Sequence, residues 1–149
     1  MNAIDQSNQL MTLKNIFVLP ALLIALGACG PTPEKEPMDT TGMTPNEIAR
    51  AKGVDFRGRG NEPGWHVEID MERDILFVYD YGGSVVNTVT PGPRKKGNIT
   101  RFDARQQGED LVITIEDVRC NDTMSDEQFS KRVEIIYNGK TFTGCGDWL

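Results

Sequence analysis

The chain has 149 residues and a formal net charge of −6 at pH 7. That length suits one ordinary domain and excludes an enzyme built from two domains. The negative charge argues against a nucleic-acid partner, because affinity for nucleic acid comes largely from Lys and Arg side chains that neutralise phosphates. It also argues against a broad electrostatic hold on anionic lipid.

The first element along the chain is a short apolar run over residues 16–26, interrupted only by Pro20. The run has about half of the 20 residues that a membrane-spanning helix needs. Lys14 precedes it, and a positive residue before a short apolar run is typical of a signal peptide. A start at Met11 would bring Lys14 close to the N-terminus, and we expect translation to begin there.

The apolar run ends in Leu26-Gly27-Ala28-Cys29, which is typical of a bacterial lipobox. In that motif the cysteine sulfur receives a diacylglycerol, and cleavage leaves the cysteine as the acylated N-terminus. We therefore predict a lipoprotein signal peptide over residues 1–28 and a membrane anchor at Cys29. Each buried CH₂ of the acyl chains would contribute about 0.8 kcal/mol. The alternative is an ordinary cysteine in an uncleaved helix.

The residue after the cysteine indicates a location. Gly30 stands where an aspartate is the usual signal for retention in the inner membrane. For a Gram-negative cell we therefore expect the protein on the periplasmic face of the outer membrane.

A spacer and a short helix follow. Residues 29–44 are rich in proline and charge and have little to bury, so we expect a disordered tether. Thr44, followed by Pro45 and Glu47, forms the pattern of a capping box, and Gly53 would end the helix. We expect Ile48 and Ala51 to pack against one end of a sheet. The remaining residues, 45–149, are predicted to form a single β-rich domain.

The rest of the chain alternates apolar and polar residues with period two, as half-buried antiparallel strands do. We predict strands over residues 54–57, 65–70, 75–81, 84–90, 99–106, 111–117, 132–137 and 140–144. Gly82-Gly83 and Asn138-Gly139 are hairpin-turn signals between neighbouring strands. The predicted fold class is all-β, a small antiparallel barrel or sandwich of about eight strands with one or two short helices.

The second predicted helix is a single turn from Ser125 to Phe129, which begins with another capping-box pattern. Cys120 precedes this excursion, and Cys145 follows the last predicted strand. In an oxidising envelope compartment these two cysteines are expected to form a disulfide. Free thiols and a metal site are the alternatives. We expect no metal or other cofactor, because a metal site would need further ligands and the chain has a single histidine.

The densest local signal is Gly60-Asn61-Glu62-Pro63-Gly64-Trp65. It predicts a defined turn followed by a core tryptophan. The sharper hypothesis is a binding lip, formed by Asn61, Glu62 and Trp65 at the open end of a barrel. His66 faces the other side of its strand together with Glu68, and we interpret the two as a solvated pair.

One basic cluster interrupts the acidic chain. It consists of Arg94, Lys95 and Lys96, with Arg101 and Arg105 on the next predicted strand. A charged, soluble hairpin is the simplest interpretation. A contact with phosphorylated or carboxylated envelope polymers is the alternative, although each exposed contact would be weak and sensitive to salt.

Three motifs together resemble a family of uncharacterised envelope proteins of Gram-negative bacteria. They are the Gly-x-Glu-Pro-x-Trp pattern at residues 60–65, the Cys-x-Asp-x-Met-Ser pattern at residues 120–125, and the closing Gly144-Cys145-Gly146. Members of that family are often lipoproteins, sometimes beside META-type or lysozyme-inhibitor-type domains. The resemblance implies a small β-rich envelope domain with Cys120 paired to Cys145, and it implies no particular activity.

The function expected from the sequence is that of a lipid-anchored binding module without enzymatic activity. Its partner would be an unidentified envelope protein or a small ligand. A lysozyme-inhibitor-like role is one alternative, favoured by the negative charge, which would steer the chain towards a basic lysozyme. A small hydrolase is the other, with Glu62 and His66 as its only plausible catalytic residues.

Overall fold

The computed structural model describes residues 38–122 and 124–149. The predicted signal peptide, the lipobox with Cys29 and most of the predicted tether lie outside these residues. Within them the chain forms one helix, α1 (Pro45–Ala51), and eleven strands. In chain order the strands are β1 (Phe56–Asn61), β2 (Gly64–Ile69), β3 (Asp74–Tyr79), β4 (Ser84–Val89), β5 (Arg94–Lys96), β6 (Ile99–Gln106), β7 (Glu109–Glu116), β8 (Cys120–Asn121), β9 (Gln128–Phe129), β10 (Lys131–Tyr137) and β11 (Lys140–Trp148).

Nine of the strands form one antiparallel sheet in the order β4-β3-β2-β1-β11-β10-β7-β6-β5. The sheet curls into a half-barrel, so that strand β4 approaches β6. There the Thr88 hydroxyl donates a hydrogen bond of 3.1 Å to the Arg105 carbonyl. The predicted all-β class is therefore confirmed, with one short helix. No helix in the described ranges has the length and apolar character that crossing a membrane requires.

The inner face of the curled sheet carries the hydrophobic core. Strand β2 shows the alternation, since Trp65, Val67 and Ile69 are buried between half-buried His66 and Glu68. Side chains of this size contribute roughly 1.5 to 3 kcal/mol each when they are fully buried. The largest fully buried ones are Phe56, Phe77, Phe102, Phe142, Ile69, Ile75, Leu111, Ile113, Ile115 and Ile135. At one end of the sheet, Tyr79 and Tyr137 pack edge to face, with ring centroids 5.9 Å apart.

Two glycines on the inner face make room for the Trp65 indole. A Cβ on Gly60 in β1 would collide with that indole, and a Cβ on Gly144 in β11 would collide with the Arg59 carbonyl. Both positions face inward, because they alternate with the outward-facing Arg59 and Cys145. The glycines of two of the sequence motifs therefore have a packing role, which is to leave space for the indole at the junction of β1 and β11.

Helix α1 begins as predicted, and its packing differs from the prediction. The Thr44 hydroxyl accepts a hydrogen bond from the Glu47 N–H, and the Thr44 N–H donates to the Glu47 carboxylate at 2.7 Å. Gly53 ends the helix with a φ of +89°. Ala49 is buried, however, and Ala51 is exposed. The chain turns back at Gly53, and the Val54 N–H bonds the Ala49 carbonyl at 3.0 Å, so Ala49 is the residue that the turn covers.

The hairpin turns follow the predictions in part. Asn138 and Gly139 form a two-residue turn with positive φ at both positions, as predicted. Between β3 and β4 the expected tight turn at Gly82-Gly83 is wrong. Tyr79 pairs with Ser84, and the four residues between them begin with a single 3-10 turn, Asp80–Gly82. Residues 80–82 all have positive φ, which makes a wider loop than two glycines alone would form.

Candidate functional site

A cleft of about 480 Å³ lies on the outer face of the sheet. One wall is formed by outward-facing residues of β1, β10 and β11. The other wall is the side ribbon, which comprises β8, β9 and the described residues between them. The residues that line the cleft are Arg59, Gly60, Asn61, Glu62, Cys120, Asn121, Asp122, Met124, Arg132, Thr143, Gly144 and Cys145. All three motifs that were singled out in the sequence contribute to this one cleft.

The register of the sheet determines which side chains form the wall of the cleft. Arg59 pairs with Cys145, and Cys145 pairs in turn with Arg132, so these three outward side chains form a row across β1, β11 and β10. The sequence analysis placed Cys145 after the last strand, and this is wrong. Strand β11 continues to Trp148, because residues 144–148 pair with β1 and β10. Cys145 therefore lies in the middle of the sheet and holds its partner there.

The predicted disulfide is present and attaches the side ribbon to the sheet. Cys120 is bonded to Cys145, with their Cα atoms 5.5 Å apart. Cys145 is only 4 % exposed, because the side ribbon covers it. The bridge thus joins the Cys-x-Asp-x-Met-Ser motif to the Gly-Cys-Gly motif within the cleft.

Arg59 is the second attachment point of the side ribbon. Its guanidinium forms an ion pair with Glu127 and lies 3.9 Å from the Asp122 carboxylate. The same group lies over the Phe129 ring, 5.0 Å from its centroid. A cation over an aromatic face contributes roughly 0.5 to 2 kcal/mol, depending on its exposure. Arg59 therefore holds the ribbon through both charge and an aromatic contact.

Asp122 organises the ribbon from within. Its carboxylate accepts hydrogen bonds from the Met124 N–H at 3.0 Å, from the Ser125 hydroxyl at 2.8 Å and from the Asn61 side-chain amide. The Met124 bond is the largest cause that lowers the pKa of Asp122 below its ordinary value, and the bonds from Ser125 and Asn61 and the charge of Arg59 add to it. At neutral pH this carboxylate is therefore ionised.

The predicted helical turn from Ser125 to Phe129 is wrong. The Ser125 hydroxyl donates to Asp122 instead of capping a helix, and Gln128 and Phe129 pair as a strand with Asn121 and Cys120. Phe129 is 9 % exposed, and its position beneath Arg59 requires an extended chain. Tertiary contacts have overridden the local capping signal at this point.

The structure divides the predicted binding lip. Asn61 and Glu62 line the cleft, whereas Trp65 does not. Trp65 is 4 % exposed and packs edge to face on Phe77, with ring centroids 6.2 Å apart. Strand alternation is the reason, since Trp65 faces inward while Asn61 faces outward. The cleft is also on the outer face of the sheet, and not at the open end of a barrel as the lip hypothesis had it.

Glu62 is the exposed carboxylate of the cleft. It lies in the turn between β1 and β2, and it forms no ion pair with any residue that the structure describes. The side-chain amide of its neighbour Asn61 already donates a hydrogen bond to Asp122. The charge of Glu62 is therefore available to a ligand, while Asn61 mainly fixes the geometry of the ribbon.

His66 lies on the outer face of β2 and does not line the cleft. Burial lowers the pKa of His66 below its ordinary value, so the imidazole is neutral at pH 7. Glu68, the expected partner of His66, forms an ion pair with Arg57 at 3.3 Å instead. The structure therefore does not bring Glu62 and His66 together in this cleft.

Sequence reasoning missed several cleft residues that lie outside the three motifs, namely Arg59, Arg132 and Thr143. For Arg59 a signal existed, since it lies two positions before Asn61 on the same strand and must share its face. In residues 38–122 and 124–149 there is no group of three or more His, Cys, Asp or Glu side chains placed to hold a metal ion. Comparison with models of protein families, with curated proteins and with solved structures finds no match to the chain.

Proposed function

We propose that the chain is a lipid-anchored envelope protein that binds a ligand through the cleft, without enzymatic activity. The observation that carries this proposal is the convergence of the three sequence motifs on one cleft. They are far apart in the chain, and the disulfide and Arg59 hold them together. A specific binding site requires contacting side chains that the surrounding structure holds rigidly, as strands can do.

The anchoring half of the proposal rests on the lipobox and on the cysteine pairing. Because Cys120 and Cys145 are bonded to each other, neither is a disulfide partner for Cys29. Cys29 is therefore the remaining cysteine, and its sulfur can form the thioether to diacylglycerol. Even a fully extended chain from Cys29 to Met38 spans at most about 32 Å. An acylated Cys29 would therefore keep the domain and its cleft close to the membrane surface.

The chemistry of the cleft favours a polar ligand. Glu62 offers a carboxylate that has no ion-pair partner in the part of the chain that the structure describes, while Asn121 and Thr143 offer an amide and a hydroxyl. Met124 is 72 % exposed at the rim and offers the apolar contact. A ligand that presents a cation or hydrogen-bond donors to Glu62 fits this arrangement, whether it is a small molecule or a loop of an envelope protein.

The anchor is tested by changing Cys29. We expect the wild-type chain to incorporate radiolabelled palmitate and to fractionate with the membrane. The Cys29→Ala variant should incorporate none, because no sulfur remains at the acylation position, and it should be released or remain unprocessed. The measurement is metabolic labelling followed by fractionation. A wild-type chain that is processed but unlabelled would disprove the anchor.

The cleft is tested by neutralising Glu62. We expect Glu62→Gln to melt within about a degree of the wild type, since the exposed amide keeps the size of the side chain. The material that co-purifies with the tagged full chain from envelope should bind about 1 to 3 kcal/mol more weakly, as for a lost hydrogen bond to a charged group. The measurement is quantitative mass spectrometry of the eluate together with a thermal melt.

Glu72→Gln is the matched control for this experiment. Glu72 is exposed in the turn between β2 and β3 and does not line the cleft. The Glu72→Gln variant removes the same charge away from the cleft, so the amount of co-purifying material in its eluate should equal that of the wild type. Equal losses in both variants would mean that net charge, and not the cleft, retains the ligand.

A further inference from the structure

A second pocket opens at the end of the half-barrel opposite Tyr79 and Tyr137. It has a volume of about 270 Å³ and is separate from the cleft, with which it shares no lining residue. Its floor is Ile115, a core residue that is 2 % exposed. The other lining residues are Lys95, Gly97, Asn98, Thr100, Asp117, Lys131 and Trp148. We refer to it as the mouth pocket.

Sheet register divides the basic cluster between the outer face and the mouth pocket. Arg94 pairs with Arg101 across β5 and β6, and both form ion pairs with Asp103 on the outer face. Lys95 is opposite Thr100 and lines the mouth pocket with it. No ion pair of Lys95 occurs among the described residues, so its ammonium is available to a ligand.

Lys131 supplies a second ammonium to the same pocket. Its side chain is 16 % exposed, and its Nζ lies 2.7 Å from the Asp117 carboxylate. An ammonium has three donors, so one bond to Asp117 leaves two for a ligand. Asp117 is 67 % exposed, and water therefore weakens its hold on Lys131. The pocket is thus lined by two cations, Lys95 and Lys131, and one carboxylate, Asp117, so its lining side chains carry a net positive charge in an otherwise acidic chain.

Trp148 gives the pocket an aromatic wall. The indole is 38 % exposed, and its other part packs edge to face on Phe56, with ring centroids 4.9 Å apart. This contact fixes the ring, so a ligand would meet a preformed surface. Asn98 and Thr100 add an amide and a hydroxyl beside it.

We propose that the mouth pocket binds an acidic sugar, that is, one pyranose ring that carries a carboxylate. The C–H face of a sugar ring packs on an indole, its hydroxyls suit Asn98 and Thr100, and its carboxylate suits Lys95 and Lys131. The volume of about 270 Å³ lies just below the range for drug-sized ligands, which begins at about 300 Å³, and it suits a single ring. A free sugar and the terminal unit of a polysaccharide share this chemistry. The proposal goes beyond the function assigned to the cleft and does not depend on it.

The test is isothermal titration calorimetry on the full chain purified in detergent. Glucuronate should bind, and glucose, which lacks the carboxylate, should bind at least tenfold more weakly, as expected for a lost charge-assisted hydrogen bond of about 1.5 to 3 kcal/mol. Salt should weaken the binding of glucuronate. A disaccharide with a terminal glucuronate that binds as tightly would identify a polysaccharide end as the natural ligand, and a disaccharide that is excluded would identify the free sugar.

Matched variants keep the test specific. Lys95→Ala should weaken glucuronate binding about tenfold. Lys96→Ala removes the same charge from a neighbour that does not line the pocket, and it should leave binding unchanged. Glu62→Gln in the cleft should also leave it unchanged. Glucose that binds as well as glucuronate, equal losses in Lys95→Ala and Lys96→Ala, or no heat at millimolar glucuronate would each overturn the proposal.

Discussion

Replacing Trp65 with alanine should lower the free energy of unfolding by about 3 to 5 kcal/mol, which is a large part of the stability of a small domain. The indole is 4 % exposed and packs on Phe77. Gly60 and Gly144 leave no side chain of their own to fill the space that it would vacate. The measurement is denaturant unfolding of the purified full chain.

Two variants serve as controls for the Trp65 prediction. Trp65→Phe keeps an aromatic ring and removes an indole N–H that has no acceptor among the described residues, so its loss should be much smaller. Trp148→Ala should also cost less than Trp65→Ala, because Trp148 is 38 % exposed. A stable, soluble Trp65→Ala variant would contradict the core assignment and return Trp65 to the binding lip.

Removing the Cys120–Cys145 bridge should lower the free energy of unfolding by about 3 to 4 kcal/mol. In the chain-entropy model this follows from a sequence separation of 25 residues, because an open loop of that length gains entropy in the unfolded chain. The double variant Cys120→Ala/Cys145→Ala is the appropriate one, since it leaves no lone thiol beneath the side ribbon. Denaturant unfolding measures the loss.

Thiol counting provides the independent check of the bridge. The acylated wild-type chain, denatured but not reduced, should show no reactive thiol, and reduction should reveal two. Two reactive thiols before reduction would end the assignment. Chemical reduction of the wild type should also reproduce the stability loss of the double variant, because both remove the same constraint.

Local patterns were sufficient for much of the fold. The period-two alternation predicted the all-β class, and the predicted strand over residues 99–106 matches β6. Asn138-Gly139 and the Thr44 capping box act where they were predicted, since both are set by backbone geometry within a few residues. These features need no information from distant parts of the chain.

The wrong predictions concern segments whose conformation depends on residues that are far away in the chain. The capping-box pattern at Ser125 is real in the sequence, yet Cys145, Arg59 and Asp122 hold the ribbon extended. The end of β11 was missed because Gly144 and Gly146 are poor strand formers. Their role is visible only when the Trp65 and Phe56 rings are placed over them.

The candidate site could be predicted only in part for the same reason. The three motifs marked Asn61, Glu62 and the two cysteines, which do line the cleft. The alternation that places Asn61 outward also places Trp65 inward, so the simpler interpretation of a core tryptophan was the correct one. Which outer-face residues meet the side ribbon depends on the register of β1, β11 and β10, and no local pattern contains that register.

The cleft as a ligand-binding surface is tested most directly by photo-cross-linking in living cells. A photoreactive residue at Met124, which is 72 % exposed at the cleft rim, should give a discrete cross-linked adduct. One at Val85, which is 63 % exposed on β4 and outside the cleft, should give none. Glu62→Gln should diminish the Met124 adduct. An absent Met124 adduct, or the same adduct from both positions, would contradict the proposal that this cleft binds the ligand.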